Sequence, residues 1–207
     1  YCIYDDDACR EASRQEIIRR YYATLNSFVE GNATEEELGK IELLMHQESI
    51  TTDYRRVTVA AKERAQKDKT ICAAMELRDG TIITSQTSDL LGTSAALILN
   101  ATKQLAGIDH KIKLIPKEMI EPIQQMKVTY LKGNNPRLHT DEVLVALAML
   151  SKNDENCKKA IEQLPNLKGC QVHTTVMLSE VDRKIFKKLG VDVTCEPISK
   201  KQKSLIG

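Results

Sequence analysis

The sequence predicts an α/β protein: a three-layer α/β/α sandwich around a mixed five-stranded sheet in order 2-1-3-4-5, preceded by an N-terminal helical segment. Two observations carry this. Apolar residues recur at helical spacing through the first third, and at Ile71 the period shortens to two around an Asp-Gly turn. From there strand-like and helix-like stretches alternate as far as Cys195, which builds a sheet with helices on both faces. The division falls into a helical segment, 1–69, and an α/β domain, 70–207.

Cys9 to Glu30 has the spacing of a long amphipathic helix, with Ile17, Ile18, Tyr21, Tyr22, Leu25, Phe28 and Val29 inward and Gly31 as its stop. Thr34 and Glu37 form a capping box for a second helix to about Glu48. Arg55 to Lys67 predicts a third, with Val57, Ala60, Ala61 and Ala65 on its apolar face. Ile71–Leu77 and Ile82–Thr84 then form a hairpin across Arg78-Asp79-Gly80-Thr81. Thr87-Ser88-Asp89 opens a helix to Ala106 that is apolar nearly all round, so it belongs at the centre. Lys113–Ile115 reads as a short strand. Pro116 starts a helix through Leu131, which Pro122 breaks or kinks. Asp154–Leu164 is helical, Gln171–Leu178 a strand, Val181–Leu189 a helix capped by Ser179 and Asp182 and closed by Gly190, and Val191–Cys195 the last strand. No internal repeat is visible.

The 207 residues suffice for one large domain or two small ones with a buried core. Lys plus Arg (30) balance Asp plus Glu (29) at a net charge of +1, which argues against broad nucleic-acid or anionic-membrane binding. A hydrophobic content of 42% and a mean hydropathy of -0.34 describe an ordinary globular chain, and no apolar run reaches a membrane span. Asp5-Asp6-Asp7 and Lys200-Lys201-Gln202-Lys203 are the lopsided stretches, most simply solvated. The cysteines, Cys2, Cys9, Cys72, Cys157, Cys170 and Cys195, form no C-x-x-C; they are no disulfide framework and fit a reducing cytosol. A cytoplasmic location is the expectation.

The stretch with the most chemistry is Asn134-Asn135-Pro136-Arg137-Leu138-His139-Thr140-Asp141-Glu142, which runs into eight apolar residues, Val143 to Leu150. Leu, Ala and Met outnumber Val there, and Asp141 and Glu142 suit a helix start, so the run reads as a buried helix with Thr140 as N-cap. Its mouth gathers Arg137, His139, Asp141 and Glu142. Such a mouth binds an anion or holds an acid/base pair; the plainer alternative is that these groups only cap and solvate a core helix.

Cys9 to Tyr22, Asn134 to Leu147 and Leu167-Lys168-Gly169-Cys170 together resemble an uncharacterised bacterial family, a domain of unknown function sometimes labelled an ATP-dependent zinc protease. The likeness covers nearly the whole chain. It implies that the chain is the C-terminal portion of a longer protein whose upstream part carries a glycine-rich, phosphate-loop-like segment. Gly39-Lys40 lacks the surroundings of such a loop, and none of His46, His110, His139 and His173 begins H-E-x-x-H, so neither ATP binding nor zinc proteolysis is assigned to these residues. In element order alone the second part is similar to the cytidine-deaminase-like fold. The positions that hold zinc there read Thr87-Ser88-Asp89 and Pro116-Lys117-Glu118-Met119, without Cys or His, so that resemblance implies no deamination.

The candidate catalytic residues are therefore His139, Asp141 and Glu142. The candidate ligand-binding residues are Asn134, Asn135, Arg137, Thr140, Ser88 and His173, with Ser88 and Ser179 first of all helix caps. Cys170 and His173 have half-site spacing, but an odd separation sends strand residues to opposite faces, and no metal site is expected. No cofactor is named. Two functions stay open: part of an enzyme in which Arg137 holds a phosphate or carboxylate and His139 moves a proton, or an assembly and interaction module. The expected partners are a small anionic ligand, an upstream domain and a second copy of the chain in a homo-oligomer whose contact uses the N-terminal helices; nucleic acid and membrane are not expected.

Overall fold

The computed structural model describes residues 5–198; Cys2 and the Lys200–Lys203 tail lie outside them. The elements run α1 (Asp6–Val29), α2 (Glu35–Gln47), α3 (Arg56–Asp68), β1 (Cys72–Glu76), β2 (Ile82–Gln86), α4 (Thr93–Leu105), α5 (Lys117–Gln125), a π-turn (Met126–Tyr130), α6 (Thr140–Leu150), α7 (Glu155–Glu162), β3 (Gln171–Thr174), α8 (Glu180–Lys188) and β4 (Asp192–Cys195).

The sheet has four strands among the described residues, in order β2-β1-β3-β4. β1 pairs antiparallel with both β2 and β3, and β3 pairs parallel with β4. This is the expected order with the third strand left out. Lys113–Ile115 is irregular, and the five-stranded, cytidine-deaminase-like arrangement does not form. The reason is local. Leu114 and Ile115 bury their side chains among Ile120, Leu138, Val143 and Leu147, away from the sheet. Their carbonyl neighbourhood is satisfied without a ladder: Lys103 Nζ donates to the carbonyls of His110 (2.5 Å) and Ile112 (2.6 Å), and Cys157 Sγ to that of Leu114 (3.1 Å).

Alternation along β1 decides what each face receives. Ala73 and Met75 join Leu97, Ile98 and Ala101 of α4, Val172 of β3 and Phe186 of α8 in the main core. Ala74 faces the other way, onto Val57 and Ala61 of α3. Beyond α4, a second cluster packs it against α6 and α7 through Ala95, Leu99, Ala146, Leu147 and Cys157. α1 buries one stripe, Ile18, Tyr22 and Asn26, and docks on β4: Asn26 Nδ2 donates to the Cys195 carbonyl at 2.9 Å. The helices read from the first third thus form one outer layer of the sandwich. Tyr22 is spent on that docking, while Phe28 and Val29 stay on the surface.

Several boundaries move for stated reasons. α1 begins at Asp6, because the Asp5 carboxylate accepts from the Ala8 N–H and the acidic run is the helix start. α4 begins at Thr93 rather than Thr87, because residues 90–92 pair with Leu138: Leu138 N donates to the Leu90 carbonyl and Gly92 N to the Leu138 carbonyl, both 3.0 Å. α5 continues through Pro122 and then widens into the π-turn, where Leu131 N reaches back to the Met126 carbonyl. β3 stops at Thr174, whose hydroxyl donates to the Val176 carbonyl at 2.7 Å and turns the chain. α6 is not wholly buried: Val143, Ala146 and Leu147 are inside, but Val145 and Met149 are 61% and 64% exposed.

Candidate functional site

The start of α6 lies against the start of α8. His139, not Thr140, is the N-cap of α6, with extended backbone (φ -84°, ψ 175°). The Glu142 carboxylate folds back to accept from His139 N at 2.8 Å and from Lys127 Nζ at 2.7 Å; Lys127 also donates to the Arg137 carbonyl at 2.6 Å. Thr140 is the first helical residue, and its N–H donates to Asp182 Oδ1 at 3.3 Å. Asp182 is buried on α8, and its Oδ2 accepts from the Ser179 hydroxyl at 2.8 Å. The N-terminus of α6 therefore does attract an anion, as a helix start should, but the anion is the chain's own Asp182.

His139 sits between two groups. Its Nε2 is 3.2 Å from the Asn135 amide nitrogen, and its Nδ1 is 3.8 Å from Asp182 Oδ2. The His139 side chain also closes the α6 capping box, facing the Glu142 N–H, so these three neighbours together decide which ring nitrogen carries the proton. Asn135 also bends the loop: its Oδ1 accepts from Arg137 N at 3.2 Å. Arg137 pairs with neither Asp141 nor Glu142. Its Nε donates to the Ser88 carbonyl at 2.6 Å, and its two terminal nitrogens have no partner among the described residues. The Thr140 hydroxyl is fully buried and likewise unpartnered among them. Ser88 enters the site through its carbonyl alone, since its hydroxyl accepts from Leu90 N and Leu91 N. Asn134 and Asp141 are exposed, with no polar contact to His139.

His173 is elsewhere. It is opposite Ala74 in the register and shares that residue's face, the side covered by α3, whereas α8 covers the other. Its Nδ1 is 2.9 Å from Thr194 Oγ1 and its Nε2 3.2 Å from Glu196 Oε1. The same Glu196 oxygen accepts from the Tyr22 hydroxyl and from Lys62 Nζ, each at 2.9 Å. Beside it the buried Arg55 guanidinium donates to Thr194 Oγ1, Gln171 Oε1 and the carbonyls of Val172 and Asp192. Burial pushes the Glu196 carboxyl up, but His173 and Lys62 outweigh it and hold it at about 2. Burial pulls the His173 ring below 6.5 despite the hydrogen bond and charge of Glu196, and pulls Arg55 down to about 10. Burial, then Glu196, raises the Tyr22 hydroxyl. The network pins α1 and α3 to β3 and β4.

Two family models cover the chain. The C-terminal part of the domain of unknown function DUF1846 matches residues 53–205, and its N-terminal part matches residues 1–49. The chain belongs to the DUF1846 family. It is 46% identical over 205 residues to a UPF0371 protein of Corynebacterium aurimucosum, covering 99% of this chain and 41% of that protein. It is 48% identical over 197 residues to one of Corynebacterium urealyticum (95% and 40%) and 44% identical over 197 residues to one of Streptococcus thermophilus (95% and 40%). The chain thus spans about two fifths of the length of these curated relatives. It is not confined to the family's C-terminal part, as the resemblance implied, because residues 1–49 match the N-terminal one. The names of these relatives state no activity, ATP use or zinc chemistry.

Of the residues expected to act together, this DUF1846 chain gathers Asn135, Arg137, His139, Thr140, Glu142 and the Ser88 carbonyl, and leaves out Asn134, Asp141 and His173. Among the described residues no group of three or more His, Cys, Asp or Glu is placed to hold a metal ion. Cys170 is buried in the main core, off the His173 face, and burial pushes its thiol up. Asp182 and Lys127 were read from sequence only as a cap and a helix residue. The Ser179/Asp182 spacing marked the start of α8; nothing local marked that α8 would face α6.

Proposed function

We propose that the mouth between α6 and α8 binds a small phosphate- or carboxylate-bearing ligand and that His139 moves a proton on it. The observation that carries this reading is the placement of His139 between Asn135 and the anchored Asp182, next to an arginine whose fork is unspent. The helix dipole is not the binding force, since Asp182 already occupies it. The binding group is Arg137, whose terminal nitrogens can meet two oxygens at once. A ligand that displaces the Asn135 amide meets the His139 ring at Nε2, with the Asp182 carboxylate behind the ring. Glu142 and Lys127 shape the loop; they do not touch the ligand. In this reading the chain works beside the part of the family's proteins that it does not span, in a reducing cytosol; the thiols of Cys157, Cys170 and Cys195 are buried and free. Among the described residues no helix is long and apolar enough to cross a membrane.

The test is calorimetric titration of the chain with inorganic phosphate and with citrate, repeated on Arg137→Ala and His139→Ala. Arg137→Ala abolishes saturable binding, and His139→Ala removes the proton uptake that accompanies it. Binding that survives Arg137→Ala, with both variants natively stable, rejects the site. Loss of stability with binding unchanged favours the capping role.

One observation favours the second reading, an assembly module. α6 is apolar from Val143 to Leu150, yet one of its faces is bare, and Tyr130 and Leu131 of the adjoining segment are 75% and 70% exposed. Apolar surface of this kind marks contact sites.

A further inference from the structure

The bare face of α6 has a pattern that identifies its partner. At helical spacing Asp141, Val145, Ala148 and Lys152 form one straight stripe, 0, 4, 7 and 11 residues from the first. Ser151 keeps helical backbone angles, so the stripe continues to Lys152. All four residues are exposed. Neither Asp141 nor Lys152 has an ion-pair partner among the described residues, although most other charges along the helices do. Met149, itself exposed, flanks the stripe on the side of Glu142. A helix apolar on every side is normally a buried helix. Here the chain's own fold covers only half of it.

We propose that this face is a homotypic interface in which two copies of the chain pair α6 antiparallel across a two-fold axis. The stripe is its own complement under that operation alone. An axis midway between Val145 and Ala148 sets Val145 against Ala148 of the partner subunit, large against small. It also sets Asp141 against Lys152 of the partner subunit at both ends. Parallel pairing would oppose like charges. A two-fold contact is isologous, so each complementary pair occurs twice. Antiparallel pairing also brings each helix N-terminus, with its partial positive charge, to the C-terminus of the other. The proposal rests on the assembly reading and not on the chemistry of His139, and it moves the contact from the N-terminal helices to α6.

The experiment is sedimentation velocity on the whole chain over a wide concentration range. The wild type forms a reversible dimer. Val145→Glu raises its dissociation constant on the order of thirtyfold or more, because a charge then stands in the centre of the contact. Met149→Glu, on the same bare face, is the second variant should the first be poorly folded. Asp141→Lys and Lys152→Asp each weaken the dimer on the order of tenfold, and the double swap brings it back to near the wild-type value. A monomer at every concentration overturns the proposal. So does a dimer indifferent to Val145→Glu and Met149→Glu, which would place the contact elsewhere. A double swap that fails to restore association overturns the antiparallel pairing. None of these outcomes bears on phosphate binding at Arg137.

Discussion

Arg55 shows what a single buried charge does in this molecule. Its guanidinium leaves water entirely, and its donors reach two strand carbonyls and the side chains of Gln15, Gln171 and Thr194. Arg55→Met keeps much of the volume but removes every one of those buried hydrogen bonds at once. The expected loss is on the order of 3 kcal/mol of unfolding free energy, read from urea titrations. His173 and Glu196 make the same network sensitive to acid. The folded His173 ring ionises below its ordinary value of 6.5, so unfolded chains take up protons first as pH falls. Stability is therefore full above about 6.5 and declines below it. Glu196, depressed from 4.5 to about 2, adds a second decline from 4.5 downward. The urea midpoint should fall between pH 7.5 and pH 5.5, and His173→Gln should remove most of that fall. A midpoint equally pH-dependent in His173→Gln would mean that another group is responsible.

Elements with their own punctuation were readable. The hairpin of β1 and β2 follows from Asp79-Gly80: Gly80 has φ +82°, and Asp79 Oδ1 accepts from Thr81 N. The capping box at Thr34/Glu37 stands where the spacing put it, and Ser179 caps α8 by accepting from Asp182 N, while the Asp182 carboxylate meets the Ser179 hydroxyl instead of its N–H. Lys113–Ile115 failed because apolar character alone cannot say which cluster a segment joins; buried Cys157 took up the Leu114 carbonyl, and buried Lys103 those of His110 and Ile112 just before it. Thr140 failed as a cap because the Glu142 carboxylate reaches the His139 N–H and makes His139 the boundary. That contact yields a prediction at this scale. Glu142→Ala frees both His139 N–H and Lys127 and should cost about 1 kcal/mol, measured by thermal or urea unfolding. A cost near zero would mean that the loop from Asn134 to His139 is held by other bonds.

At the scale of the molecule, the sheet order and the helical layers were legible because chain order and alternation constrain them. The candidate site was legible only in half. The stretch from Asn135 to Glu142 was visible, but Asp182 comes from a helix that follows β3, and only the fold sets α8 against α6. His173 and Glu196 were beyond reach for the same reason, since their partners Tyr22, Arg55 and Lys62 lie in the first third of the chain. The central claim is that His139 and Arg137 face a bound anion across from Asp182. Side-chain nitrogen NMR of the histidines during titration with inorganic phosphate tests it most directly. The account predicts a saturable shift of the His139 resonances, none at the buried His173, and loss of the shift in Arg137→Ala with the fold intact. A His139 signal unmoved by phosphate, or moved equally in Arg137→Ala, would contradict it.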